Sequence, residues 1–146
     1  MTLFSPRPVL SMLGLSAAML LAAPAFAETI AYPAMLNGAS EVPAITTAGM
    51  GSADTQYDTA TKTLSWTITY SGLSGPATAA HFHGPAAVGA NAGPVVPISG
   101  SLASPITGKA VLTDAQAADL AAGKWYFNIH TDANKGGEIR GQVMKK

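Results

Sequence analysis

Three histidines stand out in the chain because their spacing would allow them to bind one metal ion. His81 and His83 are separated by one residue in "AAHFHGPA", and His130 follows much later in "NIHTDANKGGEIRG". Imidazole suits copper, zinc and nickel, and two imidazoles at alternate positions of a strand can reach the same ion. A third imidazole from a neighbouring strand would complete a three-histidine site for a single copper or zinc ion.

Four polar residues close to the third histidine in sequence could contribute to this site. Asp132 or Glu138 could supply a fourth ligand or accept a hydrogen bond from a ligating imidazole. Asn128 and Arg140 could lie beside the histidines if their strands are adjacent. The alternative is an exposed polar cluster in which the histidines bond to Glu138, Asn128 or backbone carbonyls. Glu138 and Arg140 point the same way from their strand, so we expect a surface ion pair of little energetic worth, with contact to a ligand as the alternative role.

The direction of the histidine side chains follows from strand geometry. Side chains alternate between the two faces of a strand, so in "AAHFHG" His81 and His83 share one face and Phe82 takes the other. In "KWYFNIHT" His130 lies opposite the large apolar side chains. Because large apolar side chains pack in the core, we expect all three histidines on the non-core side of their strands.

The elements that position these residues are short β segments separated by Gly, Pro, Asn and Asp. The clearest strand is "TLSWTITY", in which apolar and hydroxyl side chains alternate with period two. This pattern predicts a single antiparallel all-β sandwich or barrel with one short helix. The predicted strands cover 29–36, 51–57, 63–70, 77–84, 94–98, 107–112, 124–131 and 138–144, and the helix covers 113–123.

The N-terminal residues 1–27 are typical of a secretory signal peptide. Arg7 precedes an apolar run over residues 9–23, which ends in the small-x-small pattern Ala25-Phe26-Ala27. A membrane anchor is the alternative, but the run is shorter than the roughly 20 apolar residues of a spanning helix and is broken by Pro and Ser. We therefore expect cleavage after Ala27. The domain would be residues 28–146, exported to the periplasm or the extracellular space and not membrane-spanning.

Composition excludes several classes of function. The chain has eight basic and eight acidic side chains and no basic stripe, which disfavours a nucleic-acid partner. It has no cysteine, so neither a disulfide nor a catalytic thiol is available. The loop "DANKGGEIRG" lacks the spaced acidic ligands of a calcium site, and no serine lies in a nucleophile-elbow context.

The motifs together resemble the CHRD domain, which is named for its repeats in chordin and also occurs as single copies in bacteria. The resemblance extends over nearly all of the chain after the predicted signal peptide. It is carried by "LNGASEVPAITTAGMGSA" (36–53), "GLSGPATAAHFHGPA" (72–86), "GPVV" (93–96) and "WYFNIHTDANKGGEIRGQV" (125–143).

The resemblance implies an all-β, immunoglobulin-like or barrel-like fold with a distant similarity to copper/zinc superoxide dismutase. It implies no general activity, and the growth-factor partner of chordin does not transfer, because that role depends on other modules. A dismutase uses six histidines and an aspartate for two metals, and a structural disulfide. Three histidines and no cysteine cannot reproduce that site.

We therefore expect an exported, non-enzymatic β-domain whose histidine face binds one copper or zinc ion. The alternative is a structural or protein-interaction module that binds no metal and contacts an envelope or extracellular protein. A redox enzyme of the dismutase type is disfavoured by the missing ligands.

Overall fold

The structure is a computed structural model that describes residues 27–146. In these residues the chain forms nine antiparallel strands and one short α-helix. The predicted signal peptide, up to residue 26, lies outside the described residues. The strands are β1 (Thr29–Ala31), β2 (Ala34–Asn37), β3 (Met50–Asp58), β4 (Thr63–Ser71), β5 (Ala77–His83), β6 (Pro94–Pro97), β7 (Ile106–Val111), β8 (Trp125–Thr131) and β9 (Ile139–Val143). The helix α1 (Asp114–Ala121) lies between β7 and β8.

The strands form one sheet in the order β6-β5-β8-β9-β2-β3-β4-β7, and β1 also pairs with β3. The sheet curls until its two halves face each other: Trp66 of β4 and Phe82 of β5 have ring centroids 5.3 Å apart. The result is a nearly closed, barrel-like sheet. This confirms the predicted all-β antiparallel class with one short helix. The finer likeness to immunoglobulin or dismutase folds stays a prediction.

The alternation read from the sequence explains which residues enter the core. In β4, Leu64 and Ile68 are buried while Ser65 and Thr67 are exposed. The predicted first strand is interrupted at Pro33, which has no N–H for a sheet ladder. The two pieces, β1 and β2, nevertheless both pair with β3.

The helix begins with a capping box at Thr113. The Thr113 side chain accepts a hydrogen bond from the backbone of Gln116, and the Gln116 side chain accepts one from Thr113 in a capping box. Leu120 is the buried residue of the helix, and Gly123 follows it with a φ of 69°. Among residues 27–146, no helix is long and apolar enough to cross a membrane.

Phe82 lies at the centre of the core, where β5 meets β8 and faces β4. Its ring contacts Trp66, Trp125 and Phe127, with centroid separations of 5.3, 6.1 and 4.8 Å. The neighbouring histidines of β5 therefore point away from the core, as the strand parity predicted.

We expect Phe82→Ala to lower the free energy of unfolding by about 3–5 kcal/mol, because it removes contacts with both halves of the curled sheet. Urea unfolding followed by tryptophan fluorescence measures this change. The control Thr67→Ala, on the exposed face of β4, should cost less than about 1 kcal/mol. Equal losses in the two variants would contradict the central position of Phe82.

Candidate metal centre

The candidate site lies on the outer face of three adjacent strands, with β8 between β5 and β9. The register pairs His81 of β5 with Asn128 of β8, and Asn128 in turn with Arg140 of β9. Directly paired residues project from the same face of a sheet. The predicted adjacency of the histidines and the polar face of the last strand is therefore confirmed.

The three histidines converge on one point. Nδ1 of His81 lies 3.2 Å from Nε2 of His130, and one ring nitrogen from each of His81, His83 and His130 lies within 4.8 Å of the other two. Zn–N bonds of about 2.0–2.1 Å in a tetrahedral site imply N···N separations of about 3.3 Å. The separation between the His81 and His130 nitrogens is therefore already near that value. Small side-chain movements would shorten the other two separations to it.

Two backbone carbonyls fix the orientation of two of these rings. Nδ1 of His83 lies 2.9 Å from the carbonyl oxygen of Ala92, and Nδ1 of His130 lies 2.9 Å from that of Lys135. A carbonyl can only accept, so both Nδ1 atoms carry a proton, and in the neutral imidazoles both Nε2 atoms keep a lone pair. Ligating histidines in metalloproteins commonly donate their other ring N–H in this way.

The lone pair of His83 has no partner within the protein. Nε2 of His83 is buried and makes no hydrogen bond. Buried polar atoms are normally satisfied. Five other buried side-chain atoms of the described residues also lack a partner, but Nε2 of His83 is the one that belongs to an imidazole beside two others. It is the position that a bound cation would fill.

The site also favours neutral imidazoles. Burial lowers the pKa of His81, and the neighbouring His130 and His83 lower it further. Burial likewise lowers the pKa of His83, although the carbonyl of Ala92 and the neighbouring side chain of Asn128 oppose the shift. Metal ligation requires the neutral form, so both shifts favour binding.

Tyr126 forms a stack with His83 and Arg140. The His83 and Tyr126 rings lie 4.7 Å apart and only 4° from parallel, and Cζ of Arg140 lies 3.3 Å from the Tyr126 centroid. Because β8 lies between the other two strands, the imidazole and the guanidinium cover opposite faces of the phenol ring. This stack holds the plane of the His83 ring.

The loop 84–93 is tied to the same stack. Arg140 donates to the side chain of Asn91 at 2.8 Å and to the carbonyl of Ala90. The hydroxyl of Tyr126 donates to the carbonyl of Ala92 at 3.1 Å. The loop that orients His83 is therefore held by the residues on which His83 stacks.

A second segment, around Glu41, also covers the outer face of these strands. Asn91 donates to the carbonyl of Val42, which joins the loop 84–93 to the segment around Glu41. Glu41 is buried, and its Oε1 has no hydrogen-bond partner. Burial raises the pKa of Glu41 to about 7, although the positive charge of Arg140 opposes the rise.

Glu138 is a fully buried carboxylate bound by hydroxyl groups. It accepts hydrogen bonds of 2.6 Å from the side chains of Thr47, Ser74 and Thr131, and one of 2.8 Å from the Ser74 backbone. Burial alone would raise the pKa of Glu138, but these hydrogen bonds together outweigh it and lower the pKa to about 2.

The expectation of a surface pair between Glu138 and Arg140 is therefore wrong. Both side chains are buried, with 0% and 2% exposure. Glu138 is occupied by hydroxyl donors, and Arg140 covers Tyr126 and holds the loop 84–93. Both residues project from the outer face of the sheet, away from the core. They are nevertheless buried because two segments of the chain cover this face.

Glu138 also stabilises the turn 131–138, which contains Lys135, the hydrogen-bond partner of His130. Thr131 donates to Glu138 and accepts a hydrogen bond from the backbone of Asn134, next to Lys135. Lys135 in turn provides the carbonyl that accepts from His130. Glu138 therefore acts on the histidine site through the turn 131–138.

The other predicted residues have different surroundings. Asn128 is buried beside the histidines, and its Oδ1 has no partner. Asp132 is exposed at the start of the turn, and its role as a fourth ligand stays a prediction. The sequence interpretation missed Tyr126 and Glu41 as parts of the site. Tyr126 could have been identified from the sequence, because alternation places it on the same face of β8 as Asn128 and His130.

Comparison with known proteins adds a family match. A model of the CHRD domain matches residues 32–143, which contain β2 to β9 and all three histidines. No curated protein and no solved structure matches the chain significantly. The match confirms the resemblance predicted from the motifs.

We expect the stability of the protein to fall as the pH is lowered from about 4.5 towards 2, in part because of Glu138. The pKa of Glu138 is lower in the folded state than in the unfolded state. The unfolded state therefore binds the proton first as the pH falls, and this stabilises it relative to the folded state. The shift corresponds to a loss of up to about 3 kcal/mol. Urea unfolding at a series of pH values measures it.

Glu138→Gln should flatten this part of the pH profile and lower stability at pH 6 by about 1.5–3 kcal/mol. Asp132→Asn, an exposed carboxyl in the same turn, is the matched control and should leave the profile close to that of the unmodified protein. An unchanged profile in Glu138→Gln would contradict the proposed role of the carboxylate.

Proposed function

The chain belongs to the CHRD domain family, and on this basis we propose that it is an exported, non-enzymatic domain that binds one copper or zinc ion through His81, His83 and His130. The CHRD domain is not a known enzyme family. The observation that carries the proposal is the buried Nε2 of His83, which lacks a partner and lies beside two further imidazoles.

The hydrogen bonds of the histidines determine which nitrogens would bind the ion. Nδ1 of His83 and of His130 is committed to a carbonyl, so these two residues would bind through Nε2. In the neutral form of His130 with the proton on Nδ1, its Nε2 is an acceptor, and Nδ1 of His81 donates to it across 3.2 Å. The ion would take the place of that proton, and His81 would bind through Nδ1 with its proton moved to Nε2.

Three neutral nitrogen ligands account for the expected metals. Imidazole binds copper and zinc well, whereas calcium and magnesium require sets of oxygen ligands. The exposed Asp132 or a water molecule would complete a tetrahedral set. The buried side of the site is closed by the stack of His83, Tyr126 and Arg140.

Calorimetric titration of the purified protein, without a histidine tag, tests the proposal. We expect one equivalent of Zn(II) or Cu(II) to bind. His81→Ala, His83→Ala and His130→Ala should each weaken binding by at least about tenfold, since removal of even an indirect partner of a metal ligand costs 10–100-fold. Asp132→Asn tests the fourth ligand separately, and Thr67→Ala, an exposed polar residue of β4, is the control.

Nitrogen-15 NMR of the imidazoles provides a readout that does not depend on affinity. On addition of Zn(II), Nε2 of His83 and of His130 should shift, and Nδ1 of His81 should lose its proton. Binding that is unaffected by the three histidine variants, with circular dichroism showing them folded, would contradict the proposal. The domain would then be better described as a structural or protein-interaction module.

Export is tested by the N terminus of the protein after expression of the full chain in a Gram-negative host. We expect the periplasmic or secreted product to begin at Glu28, because cleavage would follow Ala25-Phe26-Ala27. Ala27→Leu places a bulky residue at the predicted cleavage position and should leave the precursor uncut, as mass spectrometry would detect. An uncut, cytoplasmic product from the unmodified chain would overturn the proposal.

A further inference from the structure

The methionines of the described domain lie on its surface. Met35, Met50 and Met144 are 74%, 62% and 52% exposed, and they are all the methionines between residues 27 and 146. Methionine is usually found buried, where its flexible side chain fills gaps in the core. Here the core is built from other apolar residues, so packing does not explain these three side chains.

Met35 and Met50 are neighbours on adjacent strands. In the pairing of β2 with β3, Met35 lies opposite Ser52 and Met50 lies opposite Asn37. The two methionines are thus related diagonally, about 7–8 Å apart at the backbone, which is within reach of long side chains. Both project from the outer face, because the intervening Leu36 is buried.

The two side chains border the same groove. This groove has a volume of about 440 Å³ and is also lined by Ser52, Thr69 and Tyr70. None of its lining residues carries a charge, so no lysine or arginine opposes a cation there. Elsewhere the exposed positions of β3 and β4 carry acidic, amide or hydroxyl side chains, such as Asp54 and Thr67.

We infer that Met35 and Met50 form a second metal site, which binds Cu(I) through their two thioether sulfurs. Thioethers are soft, neutral ligands that select Cu(I), whereas zinc prefers nitrogen, thiolate and carboxylate ligands. The site lies on β2 and β3, and it shares no residue with the histidine cluster on β5 and β8. Its existence does not depend on the proposed histidine site.

NMR of the protein labelled with carbon-13 at the methionine ε-methyl groups tests this inference. Each methionine then reports separately, and substitution by leucine assigns the signals. We expect anaerobic Cu(I), or Ag(I) as a redox-inert substitute, to shift the methyl signals of Met35 and Met50 together and to saturate at one equivalent at this site. Zn(II) should leave both methyl signals unchanged.

Leucine variants provide the matched comparison, because leucine keeps the apolar volume and removes the sulfur. Met35→Leu should abolish the shift at Met50, Met50→Leu should abolish the shift at Met35, and each should weaken Cu(I) binding at this site by about tenfold or more. Met144→Leu, at an exposed methionine outside the groove, should change neither signal.

Unshifted methyl signals at both residues would overturn the inference and leave the groove as an uncharged, apolar surface. So would an equal shift at Met144, which would indicate unspecific binding to any exposed thioether. Failure of the histidine site appears in the imidazole spectra and leaves the methyl signals of Met35 and Met50 unaffected, so the two results can be told apart.

Discussion

The structure around the candidate site depends on the partial exclusion of water from the outer face of β5, β8 and β9. Segments near residues 41 and 91 cover this face, so its polar groups need partners within the protein. Backbone carbonyls of the covering loop and of the turn 131–138 provide most of them. The same interactions determine the tautomers of the histidines and leave one imidazole acceptor, on His83, without a partner.

Two buried carboxyl groups near the candidate site show how strongly neighbouring hydrogen-bond donors affect the pKa of a side chain. Glu138 is surrounded by four hydrogen-bond donors, which lower its pKa to about 2. Glu41 has an unpartnered oxygen, and burial raises its pKa to about 7. Hydrogen-bond donors stabilise the charge of Glu138, and desolvation dominates at Glu41. Neither outcome could be inferred from residue type.

The sequence predicted the parity of the strands because a period of two is a local property of the chain. The side chains of Phe82 and His83 lie on the sides expected from alternation alone. Alternation shows which face is not the core, but it does not show whether loops cover that face. The burial of Arg140 and its contact with Tyr126 depend on a loop some fifty residues away in sequence, the one that contains Ala90. For that reason the expected surface pair was wrong, and Tyr126 was missed.

The carbonyl oxygen of Ala92 accepts hydrogen bonds from both the His83 ring and the Tyr126 hydroxyl. Two donors that share one acceptor are energetically coupled, so the removal of one changes the strength of the other. The angle of the His83 imidazole thus depends on one peptide unit of a surface loop as well as on its stacking against Tyr126. Insertions or substitutions in that loop would change the angle of this imidazole, and with it the geometry of the candidate metal centre, without altering any of the three histidines.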